Sequence, residues 1–393
     1  MFQPLDIPQS YSERRLNRDA HVFPSLPKMT RIAMSSSSPR ILEIGEDSRM
    51  CHAFADTTEF FSTFIEYSES NKPPATTLVS AKSLLALSRR LSTPDIDLIV
   101  VHASQQGLLD GIMRTIFRRS TLQGHLPIFR TVAQQLLRLT GNAPMAVLDM
   151  QDSRSILACN RHLLRSATLY FKRELPPDRW QLLTRSGKAP TFRFRRNSSH
   201  QEALSRIRPL SLGIPADVLR CETATSISNS KDIDVFFAGR LKWSSTVRER
   251  GADELAQLSK EGLRIEIGED RMSPPDYLAR CARAWLVWAP EGYGWDCFRA
   301  YEAALAGSVP LVSRQTIERH QPFMENEHCI YYDLEPGQLA HAVRQSLKDR
   351  DRLLKMAQKA RDHVLRHHTP QALAHHIVET TLSTARRSGR NSI

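Results

Sequence analysis

The run Pro290-Glu291-Gly292-Tyr293-Gly294-Trp295-Asp296-Cys297, followed by Phe298-Arg299-Ala300-Tyr301-Glu302, contains residue types able to hold a phosphorylated ligand. It reads as a strand end, a glycine-containing turn and a helix start. Unpaired backbone N–H groups at such a helix start can hold a phosphate. Glu302, within the helix, can accept hydrogen bonds from both hydroxyls of a ribose, because an ionised carboxylate only accepts. A second candidate is the end of the apolar run D-V-F-F-A, where Gly239 allows close backbone approach and Arg240 offers a planar fork to phosphate oxygens. A third is proton transfer: Asp149 and Asp152 in V-L-D-M-Q-D, and His102 ending D-L-I-V-V-H, each follow an apolar run and can take a proton from a hydroxyl.

Each feature also has a plainer reading. A polar residue at a strand end is often only a satisfied structural group, and Asp152 equally suits a cap for a helix starting at Ser153. Asp95-x-Asp97 and Asp232-x-Asp234 look like metal-binding pairs but precede their strands, at the wrong end of a parallel sheet. His363 and His367 are four apart, a possible metal pair on a helix, yet no carboxylate motif accompanies them and they read as a solvated face. Trp285 and Trp288 read as core, and Trp295 as lining for a sugar pocket. No P-loop, H-E-x-x-H or G-x-S-x-G occurs.

The elements that must position these residues alternate. Apolar runs of strand length at 41–45, 97–102, 146–150 and 168–171 are separated by helical spacing at 81–90, 111–118, 128–138 and 153–165. A second series has strands at 234–238, 263–267, 285–289, 309–312 and 329–332, with helices at 247–258, 275–283 and 297–306 and further helices to about 383. Strands alternating with helices predict parallel sheets covered on both faces, whose ligands bind at the carboxyl ends of the strands. The predicted organisation is a disordered tail over 1–38, a first Rossmann-like domain over 39–213, a linker over 214–231 and a second Rossmann-like domain over 232–393.

The 393-residue length suits two such domains. No apolar stretch reaches membrane-spanning length. Six cysteines without a C-x-x-C pair suggest neither a disulfide framework nor a zinc site and fit a reducing, cytoplasmic compartment. The net charge of +12 comes largely from 43 arginines against 11 lysines. Between Arg179 and Arg208 eight basic residues face one acidic residue, a surface suited to peripheral contact with anionic lipid or to a plain solvated loop. Without a recognised nucleic-acid module, nucleic acid ranks last among the partners.

The segment from Glu291 to Pro310 resembles the donor-binding signature of group 1 glycosyltransferases, where a glutamate, a glycine-containing turn, a second glutamate and E-A-x-x-x-G-x-x-P recur in this order. Glu291, Gly292 and Gly294 match the first part; Glu302, Ala303, Gly307 and Pro310 match the second. G-W-D-C-F-R-A-Y-E-A-A-L-A-G-S-V-P-L-V is similar to the branch related to CgeB proteins, with more distant likeness to exostosin-type transferases. The resemblance implies a GT-B fold, two Rossmann-like domains facing a cleft, with the last helix returning to the first domain. It implies transfer of a sugar from a nucleoside-diphosphate sugar to a glycan, lipid-linked or protein acceptor, with no metal and no further cofactor. Donor binding falls to Gly239, Arg240, Lys242 or Arg248 in place of the family's lysine, Gly292, Tyr293, Gly294, Trp295, Asp296, Arg299 and Glu302. Catalysis falls to Asp149, Asp152 and Glu291, and the acceptor side to His102, Lys172, Arg173 and Glu174. The family separates its two glutamates by seven residues. Here ten lie between Glu291 and Glu302, and Arg299 takes the seven-spaced position. A sugar-nucleotide epimerase of similar shape, or a non-catalytic binder of glycans or anionic surfaces, is the alternative.

Overall fold

The computed structural model describes residues 38–63, 75–104, 132–133, 136–137, 143–184, 195–222, 231–242, 245–268 and 272–390. The expected tail over 1–38, the helices over 111–118 and 128–138, and the middle of the basic stretch lie wholly or mostly outside them. The first half runs β1 (Ile41–Gly45), α1 (Cys51–Phe54), β2 (Thr58–Ser62), β3 (Thr76–Leu78), α2 (Ala81–Leu91), β4 (Leu98–His102), β5 (Met145–Asp149), α3 (Arg161–Ser166), β6 (Leu169–Lys172), α4 (Ser198–Ser205) and β7 (Ile207–Pro209). After α5 (Ala216–Glu222), the second half runs β8 (Ile233–Ala238), α6 (Thr246–Lys260), β9 (Ile265–Gly268), α7 (Pro274–Arg283), β10 (Ala284–Ala289), α8 (Phe298–Leu305), β11 (Val309–Ser313), β12 (Ile330–Tyr332), α9 (Gln338–Ser346), α10 (Arg350–His367) and α11 (Pro370–Arg390).

Two sheets result, ordered β3-β2-β1-β4-β5-β6-β7 and β12-β11-β10-β8-β9. Every strand pairing is parallel. Both faces of each sheet are covered, so alternate residues of a strand enter different cores. In the first sheet Leu42, Ile44, Ile99, Val101 and Val147 lie in one cluster, and Ile41, Leu98, Val100, Ala146 and Leu148 in the other. In the second, Val235, Phe237, Leu286 and Trp288 face one cluster, and Ile233, Phe236, Val287 and Ala289 the other. This two-sided burial is why the strands read as continuous apolar runs.

Strand order reverses direction between β1 and β4 and between β8 and β10. These are the topological switch points, where the carboxyl ends of parallel strands leave a crevice. His102 ends β4 beside Gly45 at the end of β1. Gly239 follows β8, and Glu291 follows β10 by one residue. The fold thus delivers one crevice per half.

Two expectations change. Residues 153–165 form a turn and a 3₁₀ segment (Ala158–Asn160) before the short α3, so Asp152 caps no helix at 153. The segment expected as a linker carries α5, with Val218 and Leu219 in the second half's core. At the far end, α11 crosses to the first half. Leu373, Ala374, Ile377 and Val378 fill the cluster that also holds Ile41, Phe54 and Phe171.

Candidate functional site

Arg299 and Arg248 organise the second half's switch point. Arg299 sits in the first turn of α8. Its Nε donates to the carbonyl of Ala238 (2.9 Å), its guanidinium lies 5.0 Å from the Phe237 ring, and a terminal nitrogen rests against Gly239. Arg248, buried in α6, donates from Nε to the carbonyl of Glu291 (2.8 Å) and from Nη1 to that of Arg240 (3.1 Å). It therefore ties the loop after β8 to the loop after β10. Burial, and next the charge of Arg299, push its pKa below the ordinary arginine value. Two guanidinium groups press on each other here, which favours an anion between the two loops. Arg240 and Lys242 are exposed on the same loop, and Tyr293 is 64% exposed on the other. Glu291 accepts from the Ser313 hydroxyl (2.6 Å).

The rest of the predicted phosphate turn serves another purpose. Glu174, at the end of the first half's sixth strand, reaches into the second half and takes the N–H groups of Trp295 (3.0 Å) and Asp296 (3.1 Å). Arg173 donates to Glu174 (3.2 Å) and to the carbonyl of Met150 (2.8 Å), and pairs with Asp152. Burial alone would lower the Arg173 pKa, but Asp152, Glu174 and Asp296 hold it above the ordinary value. Gly294 is where this pair passes: a Cβ there would lie 2.4 Å from an Arg173 nitrogen and 2.6 Å from a Glu174 oxygen. Asp296 accepts from the N–H of Leu212 (2.7 Å) and from the Tyr301 hydroxyl (2.8 Å), with Arg319 at 3.6 Å. The N–H groups expected to hold a diphosphate are thus occupied by a carboxylate. Gly294 and Asp296, with Arg173 and Glu174, form a buried joint between the halves, and Trp295 beside them is half-buried.

Glu302 also departs from expectation. It is 3% exposed, on the side of α8 facing α7, where its charge acts on Tyr277 and Cys281. Arg299 acts on the same two groups in the opposite sense. Closed to solvent, Glu302 is not open to a ribose in this structure. The side chain at the switch point is Arg299, the residue at the seven-spaced position.

In the first half Asp149 is buried, with its oxygens taking the Tyr170 hydroxyl (2.8 Å) and the Lys172 ammonium (3.0 Å). It cannot serve an acceptor hydroxyl from there, and Lys172, its partner, is equally buried. Asp152 keeps 52% side-chain exposure while paired with Arg173. His102 remains at the crevice: Nε2 is 2.9 Å from Glu43 Oε1. Glu43 was missed by sequence reasoning, although a lone glutamate inside the buried strand I-L-E-I-G was a readable signal.

Asp95, Asp97, Asp232 and Asp234 all receive arginine side chains or backbone N–H groups at the amino ends of β4 and β8. The C-terminal histidines do not form a solvated face. His320 stacks on His376 (3.7 Å between ring centroids), His328 stacks on His363 (4.2 Å), and His363 and His368 both direct Nε2 to the carbonyl of Gln321. Among the described residues no group of three or more His, Cys, Asp or Glu is placed to hold a metal ion. Among them, too, no helix is long and apolar enough to cross a membrane.

No curated protein matches the sequence. Residues 227–379 match the family model described as glycosyl transferase-like. A UDP-forming α,α-trehalose-phosphate synthase from Burkholderia xenovorans is 10% identical with a TM-score of 0.54, over 89% of this chain and 99% of that one. HepE of Anabaena, solved in complex with UDP, is 14% identical with a TM-score of 0.51, over 88% of this chain and 100% of that one. The chain therefore has the two-sheet GT-B architecture of these structures, and its second half is similar to the glycosyl transferase-like family.

Proposed function

We propose that the protein is a glycosyltransferase that moves a hexose or pentose from a nucleoside-diphosphate sugar to a glycan, lipid-linked or protein acceptor. The observation that carries this reading is the joined pair of loops after β8 and β10, with Arg248 between them and Arg299 against Gly239. They lie at the switch point of a segment similar to the glycosyl transferase-like family. HepE, of the same fold, was solved with UDP. Arg240, Lys242 and Arg299 neutralise the diphosphate, Arg248 fixes the two loops, and Gly292, Tyr293 and Glu291 border the sugar. Charge stabilisation on the departing nucleotide by fixed cations needs no bound metal. The wording of the α8 segment supports a CgeB-like branch. Free cysteines throughout the described chain suit a cytoplasmic enzyme, and the basic stretch after Arg179 suits peripheral contact with anionic membrane.

The test is a thermal-shift panel of UDP, UDP-glucose, UDP-N-acetylglucosamine and GDP-mannose. At about a hundredfold excess over Kd, binding adds about 2.7 kcal/mol to stability. At least one compound should raise Tm by several degrees, and Arg299→Ala or Arg240→Ala should weaken its affinity about tenfold or more. A flat panel sinks the reading. Conversion of the donor to another sugar nucleotide without any acceptor would identify an epimerase instead.

A further inference from the structure

Arg49 stands apart from the other arginines along the crevice. It follows β1, at the first half's switch point, and its segment is fixed from beneath. Glu43, inside β1 and fully buried, accepts from the Ser48 hydroxyl (2.5 Å) and from the N–H groups of Arg49 (2.9 Å) and Met50 (3.2 Å). Met50 in turn packs in the core with Ile41 and Phe54. The backbone at Arg49 is therefore anchored while its side chain is left partly exposed. Among the described residues the Arg49 guanidinium has no hydrogen-bond acceptor and no carboxylate within ion-pair distance. Its neighbours are provided for: Arg173 has Asp152 and Glu174, Arg179 has Glu318, and Arg319 has the Tyr331 hydroxyl with Asp296 at 3.6 Å. Burial pulls the Arg49 pKa below the ordinary arginine value; Asp47 and Glu43 oppose this, and Arg173 adds to it. Glu43 is committed to its own donors, and Asp47 is exposed.

Further positive groups gather around it. Burial lowers the His52 pKa; Asp47 and Glu43 oppose this, and Arg49 and Arg220, on α5, add to it. Among the described residues the His52 ring, too, has no hydrogen-bond partner. Arg173, the cation that acts on Arg49 from the other side, rests against Gly294 of the second half. The Arg49 crevice thus adjoins the loop after β10. A guanidinium held partly out of water gains from an anion, and its planar fork matches two phosphoryl oxygens. A dianion suits this set better than a carboxylate, because its second charge remains for His52 and Arg220 once Arg49 is paired. The arginines assigned to the donor diphosphate come from the second half; Arg49 comes from the first. We infer that Arg49, with His52 and Arg220 beside it, receives a phosphomonoester carried by the acceptor, so that the acceptor is a sugar phosphate or a lipid phosphate rather than a neutral glycan. Calling that ligand the acceptor rests on the glycosyl-transfer reading; the anion site itself does not.

The experiment is calorimetric titration of the full chain, free and saturated with UDP, with glucose 6-phosphate, dihexanoyl phosphatidic acid and glucose. At least one of the two phosphomonoesters should bind in both states while glucose does not, and the ester that binds identifies a soluble or a lipid source. Arg49→Met and Arg49→Gln should each weaken that ester about tenfold or more and leave UDP affinity within about threefold. Arg240→Ala should do the reverse. Circular dichroism checks that each variant is folded. The site is overturned if neither ester binds the wild type, if UDP displaces the ester, or if a folded Arg49 variant binds the ester as tightly as the wild type. Loss of UDP affinity as large as the loss of ester affinity would place the guanidinium on the donor's own diphosphate and equally overturn the inference. Arg49-dependent ester binding by a chain that takes up no UDP or sugar nucleotide would keep the anion site and overturn the glycosyl-transfer reading instead.

Discussion

Lys231 illustrates what a buried charge requires. Its Nζ donates to the carbonyls of Ala282 (3.0 Å), Ala284 (2.9 Å) and Gly307 (2.9 Å) and contacts Ser308 Oγ (3.1 Å), beneath the amino end of the second sheet. Lys231→Met would leave three carbonyls without this donor, and urea denaturation should show a loss of about 2–4 kcal/mol. The same reasoning separates the two acidic residues of the α8 segment. Asp296 and Glu302 both looked like ligand groups in the sequence, because only their types and positions were visible. Asp296 is consumed by Leu212, Tyr301 and Arg319, partners between 5 and 84 residues away, which spacing could not reveal. Arg299 was legible as the seven-spaced position, but its contact with the Ala238 carbonyl depends on how β8 and β10 lie side by side.

Among the elements, the long buried strands were readable because burial on both faces makes them apolar throughout. β2, β3 and β7 were not, being short or carrying polar residues: T-E-F-F-S, T-T-L and I-R-P. The helix expected over 153–165 gives way mostly to turns; only Arg161–Ser166 is α-helical there. The seam between α10, α11 and the chain around His320 makes stability depend on pH. Burial pushes His320 down to about 3, helped by neighbouring histidines, and His376 down to about 4; burial likewise lowers His363, His367 and His368. A histidine depressed in the folded state leaves the unfolded chain binding more protons below about pH 6.5, so this stability is lost as pH falls from there. Melting followed by circular dichroism should show Tm falling on the order of 5 °C more between pH 7 and pH 5 in the wild type than in the His320→Gln/His376→Gln variant. Equal slopes would show that the stacked pair does not contribute.

At the scale of the whole molecule, the halves meet through charge as well as apolar contact. Glu174 caps the turn before α8, Gln315 donates to the Trp295 carbonyl (2.6 Å), Glu318 N–H donates to the Leu175 carbonyl (2.8 Å), and Ser211 donates to that of His320 (2.8 Å). Glu174→Ala strands the N–H groups of Trp295 and Asp296 and takes one carboxylate from Arg173, which keeps Asp152 and the Met150 carbonyl; it should cost about 2–4 kcal/mol, measured by chemical denaturation. If UDP affinity is unchanged in that variant, the turn is structural; a gain in affinity would show that Glu174 competes with the diphosphate.

The last helix sets a practical limit on dissecting the protein. The stretch similar to glycosyl transferase-like sequences stops at residue 379, inside α11, whose Leu373, Ala374, Ile377 and Val378 lie among side chains of the other half. Expressed alone, that stretch would carry a greasy stub with nothing to cover it, and the remaining piece would be missing one wall. Neither lobe is a free-standing module, so a chimera that exchanges the second half with that of another protein of this fold would have to keep residues 370–390 with the lobe they cover.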